Sequence, residues 1–220
     1  MLMELERRQI VETGRLMYER GLCQMCGGNI SIRDPKTELV AIKPSGGAYI
    51  YLKPEDIIVV DMDGKVVEGD KKPSIETQMH LGIYKARPEI MAVVHSHPLH
   101  AVAWSLRHSY LPSVICAQYM LNGAVKVAPY EDAGSAELAA SAVKAIGEDG
   151  YACILQAHGV IAGSCFDVLH ALEMNMVVED ACRIAMLCGP GEDYFTIDAQ
   201  LGAAGGYDGL ERLRRFAGQP

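Results

Sequence analysis

The chain has 220 residues, of which 50% are hydrophobic and 22% charged, so it can bury a core and is not intrinsically disordered. The 28 acidic residues outnumber the 20 basic ones and give a net charge of −8, which argues against nucleic acid as a partner. No apolar run approaches the roughly 18 to 20 residues that span a bilayer, and no secretory signal is evident. The seven scattered cysteines are typical of reduced thiols. We therefore expect a cytoplasmic protein that binds neither nucleic acid nor membrane.

Helices and strands follow one another along the chain without a regular β-α alternation. The sequence predicts, in order, a helix over 3–21, strands near 30–32, 39–42, 57–60 and 65–67, a helix from 74 to about 85, a strand over 91–97, a helix over 101–106, a strand over 125–128, a helix over 135–146, a strand over 152–156 and a helix over 167–187. No repeat or linker divides it. We predict one α/β (α+β) domain over 1–220, with helices flanking a mixed or antiparallel sheet and a flexible tail from about residue 190.

His95 and His97 lie two residues apart on a predicted strand. Residues i and i+2 of a strand face the same side, so both imidazoles point into one pocket. His158 follows an apolar strand and precedes Gly159, and it is the candidate third ligand. Three imidazoles suit a divalent transition metal with one open position. The alternative is a pair of unrelated polar residues on a strand. The other four histidines are assigned structural or solvated roles: His80, His100, His108 and His170.

Glu76 lies near the start of the helix that is predicted to begin at Ser74. A carboxylate in the first turn commonly interacts with the helix dipole or caps the helix. If the start of the helix faces the histidines, Glu76 is instead a metal ligand or a base whose pKa is tuned by burial and a nearby cation. The residues alone leave both readings open.

Two short glycine turns, at 27–31 and 43–47, have the composition of an anion site. Glycine lets backbone N–H groups converge on an anion, and Asn or Ser side chains add neutral donors. Lys43, Lys71 and Lys72 supply local positive charge. Neither turn matches a nucleotide-binding fingerprint.

Five segments of this sequence, GGNIS, IKPSG, KKPSIET, VVHSHP and QAHGV, occur in the order and spacing of the class II aldolase/adducin family. The chain resembles that family over roughly residues 5 to 190. The resemblance implies a three-layer α/β/α domain with a central, mainly antiparallel sheet. It also implies a homotetramer with active sites at the subunit interfaces and a phosphorylated sugar as substrate.

The same resemblance implies roles for individual residues. Zinc, one Zn²⁺ per subunit, is expected on His95, His97 and His158, with Glu76 as a further ligand and catalytic acid/base. The phosphate of the substrate is expected to contact Gly28, Asn29, Ser45, Gly46 and Ser74. Ile75 departs from the family pattern, in which a second Ser is common at that position.

Two branches of the family, L-fuculose-phosphate aldolases and L-ribulose-5-phosphate 4-epimerases, differ at the acidic position. The aldolases carry Glu, as this chain does at Glu76, and the epimerases carry Asp, although the segments IKPSG and KKPS resemble the epimerases more. Tyr119 resembles the aldolase tyrosine that serves as a proton donor.

The expected activity is reversible cleavage of a ketose 1-phosphate to dihydroxyacetone phosphate and a small aldehyde. Three alternatives remain: pentulose-5-phosphate 4-epimerisation by a retro-aldol route, dehydration of a methylthioribulose phosphate, and a non-enzymatic adducin-like domain.

Overall fold

The computed structural model describes residues 1–122, 124–189 and 196–197. Within them, nine strands form one sheet in the order β4-β3-β2-β1-β5-β9-β8-β7-β6. The strands are β1 (Asn29–Arg33), β2 (Val40–Ile42), β3 (Ile58–Val60), β4 (Val66–Glu68), β5 (Ala92–Ser96), β6 (Tyr110–Leu111), β7 (Val125–Ala128), β8 (Ala152–Leu155) and β9 (Gly159–Ser164). Neighbours pair antiparallel except β7 and β8, which run parallel. The predicted mainly antiparallel, mixed sheet is confirmed.

Five helices flank this sheet in the described residues. They are α1 (Glu4–Glu19), α2 (Thr77–Ala86), α3 (Leu99–Ser105), α4 (Ala136–Ile146) and α5 (Val168–Leu187). Helices α2 and α4 share one buried apolar cluster with the sheet, whereas α1, α3 and α5 contribute to two clusters that contain the alternate strand residues. The helices therefore lie on both faces of the sheet, and the three-layer α/β/α arrangement is confirmed.

Strand β5 lies at the centre of the sheet and divides its side chains between the two faces. Val93 belongs to the cluster under α2 and α4, and Val94 to the cluster under α1 and α5. His95 is thereby placed on the α2 side, because side chains alternate along a strand. Antiparallel neighbours hold the backbone of β5 on both edges, β1 through the pair Asn29–His95 and β9 through the pair His95–Ile161.

Some elements differ from the sequence prediction. Strand β9 was not predicted, because its sequence GVIAGS lacks polar alternation and contains two glycines, which are depleted in strands. The short strand β6 and the 3-10 turns Pro54–Asp56 and Cys116–Leu121 were also not predicted. The tail predicted from about residue 190 lies almost wholly outside the described residues.

The second predicted helix begins later than expected. Residues 74–76 form a turn in which the Thr77 N–H donates to the carbonyl of Ser74 at 3.1 Å, and α2 starts at Thr77. Ser74 is therefore not its N-cap. Glu76 occupies that position, ahead of the first helical turn, and its side chain makes no capping hydrogen bond.

The seven cysteines all lie in the described part of the chain and are free thiols. Among these same residues, no helix has both the length and the apolar character needed to cross a membrane.

Asn175 on α5 anchors the central strand from the face opposite His95. Its Oδ1 accepts from the Ser96 hydroxyl at 2.7 Å, and its Nδ2 donates to the carbonyls of Val94 at 3.1 Å and Ala171 at 2.9 Å. Asn175 and Ser96 are fully buried. The pair therefore joins the sheet to α5 without access to water.

We predict that Asn175→Ala lowers the free energy of unfolding by about 2–4 kcal/mol, because it opens a cavity and leaves the Ser96 hydroxyl unpaired. Urea denaturation measures the change. Arg183→Ala, at an exposed position of the same helix, is the control and should stay within about 0.5 kcal/mol of the parent. Equal losses in the two variants would contradict the assignment.

Candidate metal centre

Three imidazoles from separate stretches of the chain converge on one point. His95 lies on β5, His97 follows this strand, and His158 lies in the turn between β8 and β9. One ligand nitrogen from each lies within 4.8 Å of the others, and the Nε2 atoms of His95 and His97 are 2.9 Å apart. The three ring centroids are separated by 4.7 to 5.2 Å. Such a cluster has the size and chemistry of a metal site.

The position of His158 is fixed by the tight turn that carries it. The Ala157 N–H donates to the Ser105 hydroxyl at 2.9 Å, and the His158 N–H donates to the carbonyl of Leu155 at 3.1 Å. Ala157 has a φ of 55°, a left-handed conformation that non-glycine residues rarely adopt. The two hydrogen bonds and this backbone conformation together define the turn that carries the third imidazole.

Gly159, the first residue of β9, permits the close approach of the strands that carry the histidines. A Cβ at this position would lie 2.1 Å from the carbonyl oxygen of Ser96 and 3.0 and 3.1 Å from the His97 and His95 rings. The contact with a backbone atom leaves no room for any side chain. The glycine is therefore required by the geometry of the cluster.

Burial favours the neutral form of His95 and His97. It is the largest cause that lowers the pKa of His95 well below its usual value, and it also lowers the pKa of His97; the neighbouring imidazoles act in the same direction. The Nδ1–H of His95 donates to the carbonyl of Val160 at 2.9 Å, so its Nε2 carries the lone pair that faces the cluster. This is the protonation state that a metal ligand requires.

Glu76 places a buried carboxylate beside the imidazoles. Its Oε2 lies 3.4 Å from His95 Nε2 and accepts from Asn29 Nδ2 at 2.6 Å. Its Oε1 lies 3.2 Å from His158 Nε2 but makes no hydrogen bond, although it is fully shielded from solvent. A buried carboxylate oxygen without a donor is costly, and a cation among these atoms would remove the cost. The donor set of three imidazoles and one carboxylate fits a divalent transition metal.

The second glycine turn, at 43–47, lies next to the segment 72–74. The Ser45 N–H donates to the carbonyl of Lys72 at 2.9 Å, and the Ser74 N–H donates to that of Lys43 at 3.1 Å, so Ser45 and Ser74 are on adjoining segments. Gly46, with φ +71°, has open space where a side chain would be. Ser45 and Ser74, two of the residues predicted to bind phosphate, thus lie close to Gly46, beside which the space is open.

Lys43 links these segments to the first glycine turn. Its Nζ donates to the carbonyls of Cys26 at 3.0 Å and Pro44 at 3.3 Å. Burial lowers the pKa of Lys43, and the Cys26 and Cys23 thiols and the Glu76 carboxylate act in the opposite direction. Gly28 has φ +69°, and a Cβ there would lie 2.5 Å from the carbonyl oxygen of His95. The first glycine turn therefore touches the strand that carries the metal-ligand candidates.

Two of the predicted site residues have surroundings that the sequence did not indicate. The side chain of Asn29 is buried and contacts Glu76 and His80 rather than solvent. Tyr119 lies in the turn Cys116–Leu121 and packs, partly buried, against the cluster formed by α3, α5 and neighbouring strands. Phosphate binding by Asn29 and proton donation by Tyr119 stay predictions.

His80 was assigned a structural or solvated role from the sequence, yet it contacts the residue that holds Glu76. It is fully buried and lies one helical turn beyond Glu76. The spacing i, i+4 is the signal in the sequence that could have placed the two residues near each other, but it does not reveal Asn29, which joins them.

Fold and site together define a three-layer α/β protein with a candidate metal centre where β5 and the turn before β9 meet. The family model for the Class II Aldolase and Adducin N-terminal domain matches residues 8–186. The chain therefore belongs to the class II aldolase and adducin family, as the sequence segments indicated.

Similar proteins include both enzyme branches named above. The 5-deoxy-D-ribulose 1-phosphate aldolase of Bacillus thuringiensis serovar kurstaki is 42% identical over 164 residues, which cover 74% of this chain and 76% of that enzyme. The L-ribulose-5-phosphate 4-epimerase UlaF of Salmonella paratyphi C is 41% identical over 112 residues, which cover 51% of this chain and 49% of the epimerase. The solved structure of an L-fuculose 1-phosphate aldolase has a TM-score of 0.77 and 35% identity, and covers 83% of this chain and 85% of that one.

We predict that Gly159→Ala lowers the free energy of unfolding by about 1–3 kcal/mol and reduces the bound metal per chain, because the new methyl group forces β5 and the histidines apart. Urea denaturation and elemental analysis measure the two effects. Gly82→Ala on α2 is the control, since its Cβ would lie 3.5 Å from Val143, an ordinary contact. That variant should equal the parent or gain up to about 1 kcal/mol. Full metal content in Gly159→Ala would be the contrary result.

We also predict a pH dependence for the stability of the metal-free protein. Burial is the main cause that lowers the pKa of His80 to about 3, whereas an unfolded chain titrates near the usual value of about 6.5. The stability that neutral His80 contributes is complete above about pH 6.5 and is lost as the pH falls toward 3. Between about pH 6.5 and 5, this contribution should fall by up to about 1.4 kcal/mol per pH unit. Urea denaturation after EDTA treatment should show a shallower pH slope for His80→Gln; identical slopes would contradict the assignment.

Proposed function

We propose that this protein is a zinc-dependent aldolase that reversibly cleaves a ketose 1-phosphate into dihydroxyacetone phosphate and a small aldehyde. The observation that carries the proposal is the buried Glu76 carboxylate beside three imidazoles, with Oε1 left without a hydrogen bond. Membership of the class II aldolase and adducin family supports the reaction class. A relative that is 42% identical is named for 5-deoxy-D-ribulose 1-phosphate, which makes a 5-deoxypentulose 1-phosphate the first substrate to test. Its cleavage would release acetaldehyde.

The reaction breaks the C3–C4 bond of the ketose phosphate. The C4 hydroxyl loses its proton as C4 becomes the aldehyde carbon, and the bonding electrons pass to C3 as a C2–C3 enediolate. The enediolate then takes a proton at C3 and becomes dihydroxyacetone phosphate. A divalent cation bound by His95, His97 and His158 would supply Lewis-acid stabilisation of the developing negative charge. We assign the proton at C3 to Glu76 and the proton at the C4 oxygen to Tyr119.

The proposed phosphate site consists of the two glycine turns and the adjoining segment that carries Ser74. The residues proposed to contact the phosphate are Gly28, Asn29, Ser45, Gly46 and Ser74. The hydrogen bonds that join the two segments at Ser45 and Ser74 support this assignment, and buried Lys43 adds positive charge. A phosphate bound by these residues would orient the carbon chain of the substrate toward the Glu76 carboxylate. Such positioning is one way in which binding energy lowers an activation barrier.

The assembly belongs to the same proposal. We propose a homotetramer in the cytoplasm, with active sites at the subunit interfaces, so that Tyr119 of one subunit serves the metal centre of another.

L-ribulose-5-phosphate 4-epimerisation is the second candidate. Its support is the 41% identity over 112 residues to the epimerase UlaF. The same bond is cleaved, the aldehyde rotates, and the bond re-forms with inverted configuration. Glu76 in place of Asp at the acidic position favours the aldolase. Dehydration of a methylthioribulose phosphate uses the same donors, whereas an adducin-like binding domain has no need of three imidazoles and a carboxylate.

Product analysis separates these candidates. The zinc-loaded full chain is incubated in turn with 5-deoxy-D-ribulose 1-phosphate, L-fuculose 1-phosphate and L-ribulose 5-phosphate. Dihydroxyacetone phosphate is detected by coupled oxidation of NADH, and the C4 epimer by NMR. Release of dihydroxyacetone phosphate supports the aldolase, and a C4 epimer without fragments supports the epimerase. Absence of both products would overturn the proposal.

We predict that His95→Ala loses its bound metal and about 1,000-fold or more in kcat/KM, because a Lewis acid contributes several kcal/mol to the stability of the transition state. Elemental analysis and the coupled assay measure the two quantities. His108→Ala is the matched control, since that imidazole stacks on Trp104 with ring centroids 3.8 Å apart and is not part of the cluster. The control should keep its metal and its activity. If His95→Ala kept both its metal and its activity, the proposal would be wrong.

A further inference from the structure

A chain of buried polar side chains leads from the interior of the protein to the Glu76 carboxylate. Each member is at most 5% exposed. Its members, in order, are Tyr84, Ser31, His80, Asn29 and Glu76. The contacts in that order measure 2.7 Å, 2.7 Å, 2.5 Å and 2.6 Å. Strand β1 and helix α2 supply two residues each, and Glu76 directly precedes α2, so the chain also ties the sheet to this helix.

Elementary chemistry fixes the direction of the central hydrogen bonds. The carboxylate of Glu76 only accepts, so Asn29 must present its Nδ2 to Glu76 and its Oδ1 to His80. The Oδ1 also only accepts, so the Nε2 of His80 carries a proton. The Nδ1 of the neutral ring then accepts from the Ser31 hydroxyl. Every one of these donors points toward Glu76, an arrangement in which successive hydrogen bonds polarise one another.

We propose that His80 is a positioning residue for the Glu76 carboxylate and acts on it through Asn29. This inference rests on the proposed role of Glu76 and extends it to a histidine that lies outside the metal-ligand cluster. His80 itself is not among the residues proposed to contact the metal or the phosphate. Its function is to hold Asn29 in the one orientation in which the amide donates to Glu76.

The Glu76 carboxylate receives few hydrogen bonds, so the one from Asn29 is decisive for its position. Among the described residues, Asn29 donates the one side-chain hydrogen bond made to Glu76, because Oε1 makes none. Without the Nε2–H of His80, the buried Oδ1 of Asn29 has no donor, and the amide is no longer held in the orientation in which Nδ2 donates to Glu76. If the amide turns toward another donor, Glu76 loses this hydrogen bond and its fixed place between His95 and His158. Loss of His80 should therefore alter the metal centre without removing any ligand from it.

Three variants separate positioning from general stability. His80→Leu removes both ring nitrogens, and His80→Gln keeps an N–H donor near the position of Nε2. Ser96→Ala is the matched control, because it also deletes a buried side-chain hydrogen bond, in this case between β5 and α5 on the opposite face of the sheet. We expect His80→Leu to lower kcat by about 10- to 100-fold with little change in KM. His80→Gln should recover most of that loss, and Ser96→Ala should keep the parent kcat despite its lower stability.

A spectroscopic readout makes the result independent of the assay substrate. The visible absorption of bound Co²⁺ reports the number and geometry of its ligands, and Glu76→Gln supplies the reference for a disturbed carboxylate. We expect the Co²⁺ spectrum of His80→Leu to shift toward that of Glu76→Gln, and the spectra of His80→Gln and Ser96→Ala to match the parent. If the parent cleaves none of the substrates yet His80→Leu shows this shift, the proposed function fails and the positioning role stands.

Other outcomes would overturn the positioning role. An unchanged Co²⁺ spectrum and kcat in His80→Leu would do so, as would absence of Co²⁺ binding in the parent. Should His80→Leu not fold, His80→Asn replaces it, because the shorter amide cannot reach Asn29. The comparison with His80→Gln then decides: equal spectra and equal kcat in these two polar variants would refute the role.

Discussion

The structure around β5 depends on how the buried carboxylate of Glu76 is accommodated beside three imidazoles. Removing a charge from water is costly unless hydrogen bonds or an opposite charge compensate it. Asn29 supplies one hydrogen bond to Glu76, and Oε1 is left for a cation. The same burial that makes the carboxylate costly also lowers the pKa of His95 and His97 and so leaves both rings ready to bind a metal. Ligand availability and the demand for a cation thus have one physical cause.

The scaffold meets this demand through the pairing of neighbouring strands. The register that sets Asn29 opposite His95 brings the supporting amide next to a candidate ligand. On the other side, the pairing of β5 with β9 requires Gly159, whose missing side chain gives the His95 and His97 rings their space. A shift of either register by one residue would turn the wrong side chains toward α2. The antiparallel sheet is therefore part of the chemistry of the site as well as its support.

Much of the fold and part of the site could be predicted from local pattern. The period of two placed His95 and His97 on one face, and the apolar periodicities located most helices and strands. Strand β9 was not predicted because its glycines are required by close contacts distant in sequence, Gly159 with Ser96 and Gly163 with Ile90, which no local pattern reveals. The predicted start of α2 was wrong because residues 74–76 form a separate turn, in which the Ser74 N–H donates to the carbonyl of Lys43 on another segment. The partners of Asn29 and His80 are set by tertiary packing, so their link to Glu76 became evident only from the coordinates.

The two faces of β5 differ in what they contribute. The side chain of His95 points toward α2, whereas Ser96 and Asn175 join the same strand to α5 on the other side. The layer beneath α5 can therefore be rebuilt for stability while His95 keeps its place, provided that Tyr119 and the contact between Ser105 and Ala157 are retained. Stability and the placement of the His95 imidazole are thus controlled from opposite sides of a single strand.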